Sequence, residues 1–160
     1  MRKNARRAGQ SCLAALALDF LEALPNKDDF IDFDLDITGA ICTVLQAQPG
    51  RGRFTRQSVG VSRYGEVKVV VEPHPGIHCY RFVWAADHDA LPLPFMRGAC
   101  LEGVKGALAM RLADGRQIAF VQVTVAGGSY HDVDTDHQSL AIAASMAVQD
   151  ALRQARLVDL

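Results

Sequence analysis

The sequence predicts a single α/β domain, and three observations support that fold class. The chain has 160 residues, 49% of them hydrophobic and 22% charged, which is typical of one soluble globular domain. Several segments alternate apolar and polar residues as half-buried strands do, and three others carry apolar residues at helical spacing. Because the net charge is only −1, nucleic-acid or membrane partners must be argued from local clusters.

The first predicted element is an amphipathic helix that ends at Pro25 and Asn26. Its apolar stripe has helical period: Leu13, Leu16, Ala17, Phe20, Leu21 and Leu24. A basic start followed by small apolar residues also resembles a signal peptide, but the stripe runs through the region where cleavage would occur. We therefore prefer the helix, and no apolar run approaches the ~20 residues that cross a bilayer.

An acidic segment follows, in which the aspartates alternate with apolar residues from Phe33 to Ile37 as in a half-exposed strand. The pattern DxDxD also begins calcium-binding loops, which, counted from Asp32, need Gly at the sixth position and Glu at the twelfth. Ile37 and Thr43 stand there instead. We expect an acidic, solvated strand or linker.

The middle of the chain is predicted to form strands over 41–47 and 66–72. A turn at 49–52 ends the first strand, and a basic loop follows it. Residues 79–85 are predicted to pair antiparallel with 66–72 as a hairpin.

The C-terminal half predicts a helix over 94–110, a turn at Asp114 and Gly115, a strand over 118–126, a loop over 127–135 and a helix over 136–156. The apolar face of the first helix comprises Met96, Cys100, Val104 and Leu108. That of the second comprises Leu140, Ala144, Ala147, Val148 and Leu152.

Three further patterns do not support an enzyme, cofactor or metal site. Gly98 to Lys105 approaches the phosphate-binding GxxxxGK[ST] pattern, but its glycines lie inside a predicted helix and its Lys is one place late. His74, His78 and Cys79 could form part of a metal site, yet no fourth ligand is evident and a surface turn is favoured. No nucleophile elbow, Cys-His pair or carboxylate pair is present, so we predict no catalytic residues.

The four cysteines form no CxxC pair, and we expect reduced thiols in a cytoplasmic protein.

The basic segment has a composition that suits RNA. Four arginines occur without an intervening acid, at positions Arg51, Arg53, Arg56 and Arg63. Among and beside them are polar and aromatic residues: Phe54, Gln57, Ser58 and Tyr64. Guanidinium groups pair with phosphates and aromatic rings stack on unpaired bases. A solvated charged face is the alternative interpretation.

Two stretches resemble domain IV of translation elongation factor G. Gln57 to Pro73, QSVGVSRYGEVKVVVEP, is similar to a family segment QSGGRGQYG followed by a strand that ends in EP. Gly128 to Thr135, GSYHDVDT, is similar to the family motif GSYHDVDS, and a helix follows it in both. The resemblance covers about residues 40 to 156 with the same order of elements.

The resemblance implies a ribosomal-protein-like α/β (α+β) fold: a mixed four-stranded sheet with two helices on one face and a left-handed βαβ crossover. Most crossovers are right-handed, and here we follow the family. The domain IV-like domain is expected over residues 40–160, after an N-terminal helix and acidic extension over 1–39.

The resemblance also implies a function, because the tip of domain IV in elongation factor G enters the decoding site of the small ribosomal subunit. The matching tip positions are Gln57, Ser58, Gly60, Arg63, Tyr64, Ser129, Tyr130, His131, Asp132 and Asp134, and Arg53 and Arg56 join them from the basic segment. His131 is the leading RNA-binding candidate, since imidazole stacks on bases and forms hydrogen bonds. A histidine that orders its own loop is the alternative, and aspartates 132, 134 and 136 are expected to cap the last helix.

The sequence departs from the family at the tip, where the family's GGRG is Val59-Gly60-Val61-Ser62. The family's GTPase domain does not match this chain. We therefore expect a non-catalytic, translation-related protein that binds the ribosome or ribosomal RNA, with a separately encoded translational GTPase as a further partner. The alternative is a protein-interaction or homodimerisation module that uses the stripe of the N-terminal helix.

Overall fold

The structure is a computed structural model that describes residues 30–160. The predicted amphipathic helix lies outside the described residues, so its prediction stays open. The described strands are β1 (Phe30–Phe33), β2 (Ile41–Val44), β3 (Gln48–Ser58), β4 (Val61–Pro73), β5 (Tyr80–Trp84), β6 (Gln117–Ile118), β7 (Val121–Ser129) and β8 (Leu157–Asp159). The described helices are α1 (Pro94–Ala109) and α2 (His137–Gln154).

The main sheet has five strands in the order β1-β5-β7-β4-β3, and a smaller sheet has the order β6-β2-β8. In the main sheet β5 and β7 are parallel, and the other neighbours are antiparallel. The predicted mixed sheet with two helices is confirmed. It has five strands rather than four, because β1 pairs with β5 along its whole length.

Both helices pack on one face of the main sheet, and glycines on β3 allow the contact with α2. A Cβ atom on Gly50 would lie 2.2 Å from the carbonyl oxygen of Ala147, and one on Gly52 would lie 2.0 Å from that of Ala143. No side chain fits at these distances, so only glycine permits this approach.

The core lies between this face and the helices. Its strand residues are the inward-facing members of the central strands: Val67, Val69, Val71, Tyr80, Phe82, Val121, Val123 and Val125. The predicted apolar faces of α1 and α2 are buried, which confirms both stripes. Burial also raises the pKa of the Cys100 thiol to about 12, so this thiol stays protonated.

The predicted hairpin between residues 66–72 and 79–85 is wrong. β7 lies between β4 and β5, antiparallel to β4 and parallel to β5. Both predicted strands exist, but a run of apolar residues such as VKVVV does not specify its neighbour. The pairing depends on α1, which carries the chain from β5 back to the centre of the sheet.

The turn predicted at Pro49 to Gly52 is also wrong, and so is the basic loop. Residues 48–58 form β3, which pairs with β4 in continuous register from Gln48 to Ser58. The glycines that indicated a turn are instead required by the close approach of α2.

Two smaller differences concern strand ends. The strand predicted over 118–126 is interrupted at Phe120, whose φ of 54° lies in the left-handed region, and the two parts join different sheets. The strand expected over residues 33–37 lies earlier in the chain, at Phe30–Phe33, and the strand predicted over 41–47 ends at Val44. No helix within residues 30–160 is long and apolar enough to span a membrane.

Candidate nucleic-acid interface

The far end of the β3–β4 hairpin projects beyond the start of α2. Ser58 is paired with Val61, so Val59 and Gly60 form a two-residue turn, and Gly60 has a φ of 83° that favours glycine. We use the name "tip" for hairpin residues 53–64 together with the loop of residues 129–136. The tip contains every position that the family resemblance implied for RNA binding, together with Arg53 and Arg56 of the basic segment.

Hydrogen bonds fasten the loop of the tip to β4. The backbone N–H of Tyr64 donates to the carbonyl of Asp134 at 2.9 Å, and the Thr135 hydroxyl donates to the carbonyl of Tyr64 at 2.8 Å. The N–H of His131 donates to the same hydroxyl at 2.8 Å. The two parts of the tip, separated by more than 60 residues in sequence, therefore form one surface.

The centre of the tip is a stack of three side chains. The rings of Tyr64 and His131 lie 4.0 Å apart between centroids and 5° from parallel. The guanidinium carbon of Arg53 lies 5.6 Å from the centroid of the Tyr64 ring. A 2.6 Å hydrogen bond joins the Tyr64 and Ser129 hydroxyls, which holds the tyrosine in place.

His131 carries both of the roles weighed for it from the sequence. Its backbone N–H and its ring contact with Tyr64 help to order the loop. Its side chain is also 57% exposed, and its Nδ1 lies 3.8 Å from a carboxylate oxygen of Asp134. A ring held by a tyrosine on one side and exposed elsewhere is suited to stack on a nucleobase.

Arg56 and Arg63 form a like-charged cross-strand pair. Such pairs repel each other, and Arg63 turns towards α2, where it contacts the side-chain oxygen of Gln138 and lies 3.7 Å from Asp136. Arg56 is exposed. Arg56 and Arg53 are therefore the arginines of the tip best placed to meet phosphates.

Asp136 caps α2, as expected for one of the three aspartates before this helix. Its carboxylate accepts the N–H of Ser139 at 2.7 Å, and the Ser139 hydroxyl accepts the N–H of Asp136 at 2.9 Å. This reciprocal capping box stabilises the charged carboxylate, chiefly through the backbone hydrogen bond, and lowers the pKa of Asp136.

The outer part of the hairpin carries polar residues on its strands and exposed valines at its turn. Gln57 and Ser58 are exposed and lie beside the turn. Three valines are exposed at the tip: Val59, Val61 and Val133. Solvent-exposed valines at the end of a hairpin do not stabilise the fold, so they are available to a partner.

Two residues that the sequence analysis linked to RNA binding are placed less favourably for such contact. Tyr130 packs partly against the core, so its ring is less accessible than that of His131. Arg51 lies outside the tip and forms a 2.6 Å ion pair with Glu66. Sequence reasoning missed Thr135, which fastens the loop, although a Thr just before a helix cap is a signal for such a role.

One of the histidines before β5 is paired with an acidic residue. The Nδ1 of His78 lies 2.9 Å from a carboxylate oxygen of Asp34, and the other oxygen accepts the N–H of Cys79 at 2.8 Å. Asp32 forms a bidentate pair with Arg81, so it is not the solvated residue that was expected. Among residues 30–160 no group of three or more His, Cys, Asp or Glu could hold a metal ion.

Fold and site together define a class of protein: a small α+β domain that presents a basic hairpin and a histidine-bearing loop at one end. The comparisons with known proteins specify the family. The profile of the family "Elongation factor G, domain IV" matches residues 43–156. The chain therefore belongs to the elongation factor G domain IV family, and domain IV is a non-catalytic part of that factor.

Two relatives illustrate the extent of the similarity. Elongation factor G of Dehalococcoides mccartyi is 36% identical over 106 residues, which are 66% of this chain and 15% of that protein. A crystal structure of a Thermus thermophilus protein superposes with a TM-score of 0.67 at 27% identity, over 79% of this chain and 18% of that one. The chain thus spans less than a fifth of the length of either relative.

Proposed function

We propose that this protein binds the small ribosomal subunit through its tip, by contacts with ribosomal RNA and without catalysis of its own. The observation that carries the proposal is the stack of Arg53, Tyr64 and His131, which joins the two family motifs into one exposed surface. An arginine, a tyrosine and a histidine stacked in this way are the side chains that single-stranded RNA meets in protein complexes. Translation is the process in which the family acts.

Each class of tip residue has a distinct role in this proposal. His131 extends the stack onto an unpaired base, while Tyr64 and Ser129 hold its position. Arg53, Arg56 and Arg63 contact phosphates, and Gln57 and Ser58 form hydrogen bonds with base edges or ribose hydroxyls. Tyr130 supports the loop from beneath. The domain is proposed to comprise residues 40–160, with residues 1–39 as an extension.

The test is co-sedimentation of the purified protein with small ribosomal subunits at about 50 and about 200 mM salt. Three phosphate contacts predict a loss of affinity of about tenfold or more between these concentrations, because counterions are released on binding. The double variant His131→Ala/Arg56→Ala is expected to bind at least about tenfold more weakly. We choose Arg56 rather than Arg63 because Arg63 also contacts the start of α2.

A matched control is Arg153→Ala, which removes an exposed arginine near the C-terminal end of α2. About 16 residues of helix separate it from the tip, which is roughly 24 Å. This variant should bind as the parent does. Equal binding of all three proteins, or binding that does not change with salt, would contradict the proposed RNA contact.

A second candidate function is favoured by one observation, the three exposed valines of the tip. They suit a protein surface, such as a separately encoded translational GTPase or a ribosomal protein, better than they suit a phosphate backbone. In that case Val59→Ser/Val61→Ser would weaken binding to subunits more than His131→Ala/Arg56→Ala does.

A further inference from the structure

The face of the main sheet opposite the helices, here called the back face, carries two ordered rows of side chains. The registers of the strands place Glu72, Gln122, Arg81 and Asp32 in one row, and Val70, Thr124, Val83 and Phe30 in the next. Gln122 donates to Glu72 at 2.7 Å, and Arg81 donates to Asp32 at 2.6 and 2.8 Å. Four strands thus build one partly apolar surface.

This back face is buried at its centre. Val83 is 0% exposed and Thr124 is 8% exposed, although both point away from the side on which α1 and α2 pack. A valine and a threonine in the middle of a sheet face are covered only if another segment lies over them.

Arg81 gives an independent indication of a cover. It is 8% exposed, and its guanidinium carbon lies 4.2 Å from the centroid of the Phe30 ring. Its Nη1 atom is buried and has no hydrogen-bond partner among the described residues. A buried donor without an acceptor costs about 1–3 kcal/mol, so an acceptor is expected from the rest of the chain.

We propose that residues 11–24 form a helix whose apolar stripe packs on this back face and completes the core of the domain. Five residues separate the end of this segment from Phe30, which lies on the edge strand and itself belongs to the back face. A linker of that length reaches at most about 18 Å. A helix of 14 residues is about 21 Å long, enough to cross four strands spaced about 4.8 Å apart.

The sequence matches the surface in chemistry as well as in size. The stripe of Leu13, Leu16, Phe20 and Leu24 matches the apolar character of Val70, Val83 and Phe30. The linker includes Asp28 and Asp29, which supply the kind of acceptor that Arg81 lacks. A short linker also gives a local concentration in the millimolar range, which favours docking within one chain over docking between two copies.

The test measures the protection of Thr124 in the full chain. Thr124→Cys is introduced together with Cys12→Ser and Cys79→Ser, and the rate of its reaction with a maleimide is compared with that of Ala126→Cys in the same background. Ala126 is exposed on the same strand, at the bulge opposite Lys68 and Val69. We expect Thr124→Cys to react at least tenfold more slowly than Ala126→Cys.

Breaking the stripe should remove this protection. Leu16→Asp/Phe20→Asp is expected to raise the rate at Thr124→Cys at least tenfold, whereas Ala15→Asp, on the opposite side of the predicted helix, leaves it unchanged. Cys42 and Cys100 are fully buried, so their labelling reports global unfolding. If they react too, Phe20→Ala replaces the double variant.

Three results would overturn the proposal. Rapid reaction of Thr124→Cys in the parent background would show that the back face is open. Equal rates with and without the stripe would show that another segment covers it. If the protection disappears on dilution, and light scattering shows the molar mass falling from that of a dimer to that of a monomer, the cover is a second copy of the chain. None of these results bears on ribosome binding by the tip.

Discussion

The two ends of the β3–β4 ladder share one register and differ in burial and in residue composition. At the end that begins with Gln48, two glycines lie directly against α2, and Val67 and Val69 are buried in the core. At the other end the strands carry arginines, polar residues and two exposed valines. The first end is built for close packing and the second for contact with a partner.

This difference shows how one element can serve both stability and binding. At the packed end Gly50 and Gly52 have no space for a Cβ atom, so these two residues are set by the approach of the helix. The tip is held by the hydrogen bond that Thr135 donates to Tyr64 and by the one that Asp136 accepts from Ser139. Substitutions at the two ends should therefore affect different measurements.

The largest effect is expected from Gly52→Val at the packed end. A Cβ atom there would lie 2.0 Å from the carbonyl oxygen of Ala143 and 2.5 Å from the N of Ala147. Backbone atoms cannot move aside as a side chain can, so we expect a loss of about 3 kcal/mol or more in the free energy of unfolding. Urea denaturation measures it.

Gly127→Ala is the matched control, since a Cβ atom on this strand glycine meets nothing within 4 Å and its φ is not positive. Its stability should stay within about 0.5–1 kcal/mol of the parent. A similar loss in both variants would mean that the close contact of α2 is not what requires Gly52.

The second largest effect should appear in binding alone. His131→Ala/Arg56→Ala is expected to weaken binding to small subunits about tenfold, which is about 1.4 kcal/mol. Its free energy of unfolding should change by no more than about 1 kcal/mol, because both side chains are exposed. Unfolding and co-sedimentation of the same preparation test this separation, and a loss of stability equal to the loss of binding would refute it.

Asp136 caps α2 and also lies near Arg63 of the tip, so Asp136→Ala should affect both stability and binding. Removing the cap of α2 costs about 1 kcal/mol of stability. It also removes the carboxylate near Arg63, so a modest change in binding is expected. Thermal unfolding should show a lower Tm, and Asp132→Ala, which removes an exposed aspartate from the same loop, should not lower it.

The same cap predicts a dependence of stability on pH. The folded protein lowers the pKa of Asp136 below its ordinary value of 3.8, so the unfolded chain binds the proton more readily. The contribution of the cap is complete above about pH 4 to 5 and is lost as the pH falls through the lowered pKa. Asp136→Asn should therefore flatten the fall in stability between about pH 4 and pH 2, and an unchanged slope would contradict the assigned cause.

The smallest effect is expected from Val59→Ser/Val61→Ser. Both valines are exposed, so stability should change by less than about 0.5 kcal/mol. Binding to subunits should change less than twofold if RNA is the main contact. A larger loss in co-sedimentation would favour the protein partner instead.

Sequence reasoning predicted most elements, because periodicity reports burial directly. The stripe of α1, the cap at Asp136 and the turn at Gly115 could all be predicted from residue types. The tip was assembled from two family motifs, and the structure brings them together through Tyr64 and Thr135.

Pairing and backbone geometry could not be predicted in the same way. Gly50 and Gly52 indicated a turn because glycine is common in turns, and only the position of α2 reveals the close contact. The insertion of β7 between β4 and β5 depends on a connection through α1, which leaves no local signal. The bidentate pair of Asp32 with Arg81, 49 residues apart, likewise has no signature in either segment.

The most direct test of the tip as the binding surface is site-directed hydroxyl-radical cleavage of ribosomal RNA. An iron chelate is attached at Val59→Cys on the tip, or at Gln154→Cys at the far end of α2, in a chain with Cys12→Ser and Cys79→Ser. We expect strong cleavage near the decoding site from Val59→Cys and weak or no cleavage there from Gln154→Cys. Equal cleavage from both positions, or cleavage from Gln154→Cys alone, would show that the tip is not the surface that meets the subunit.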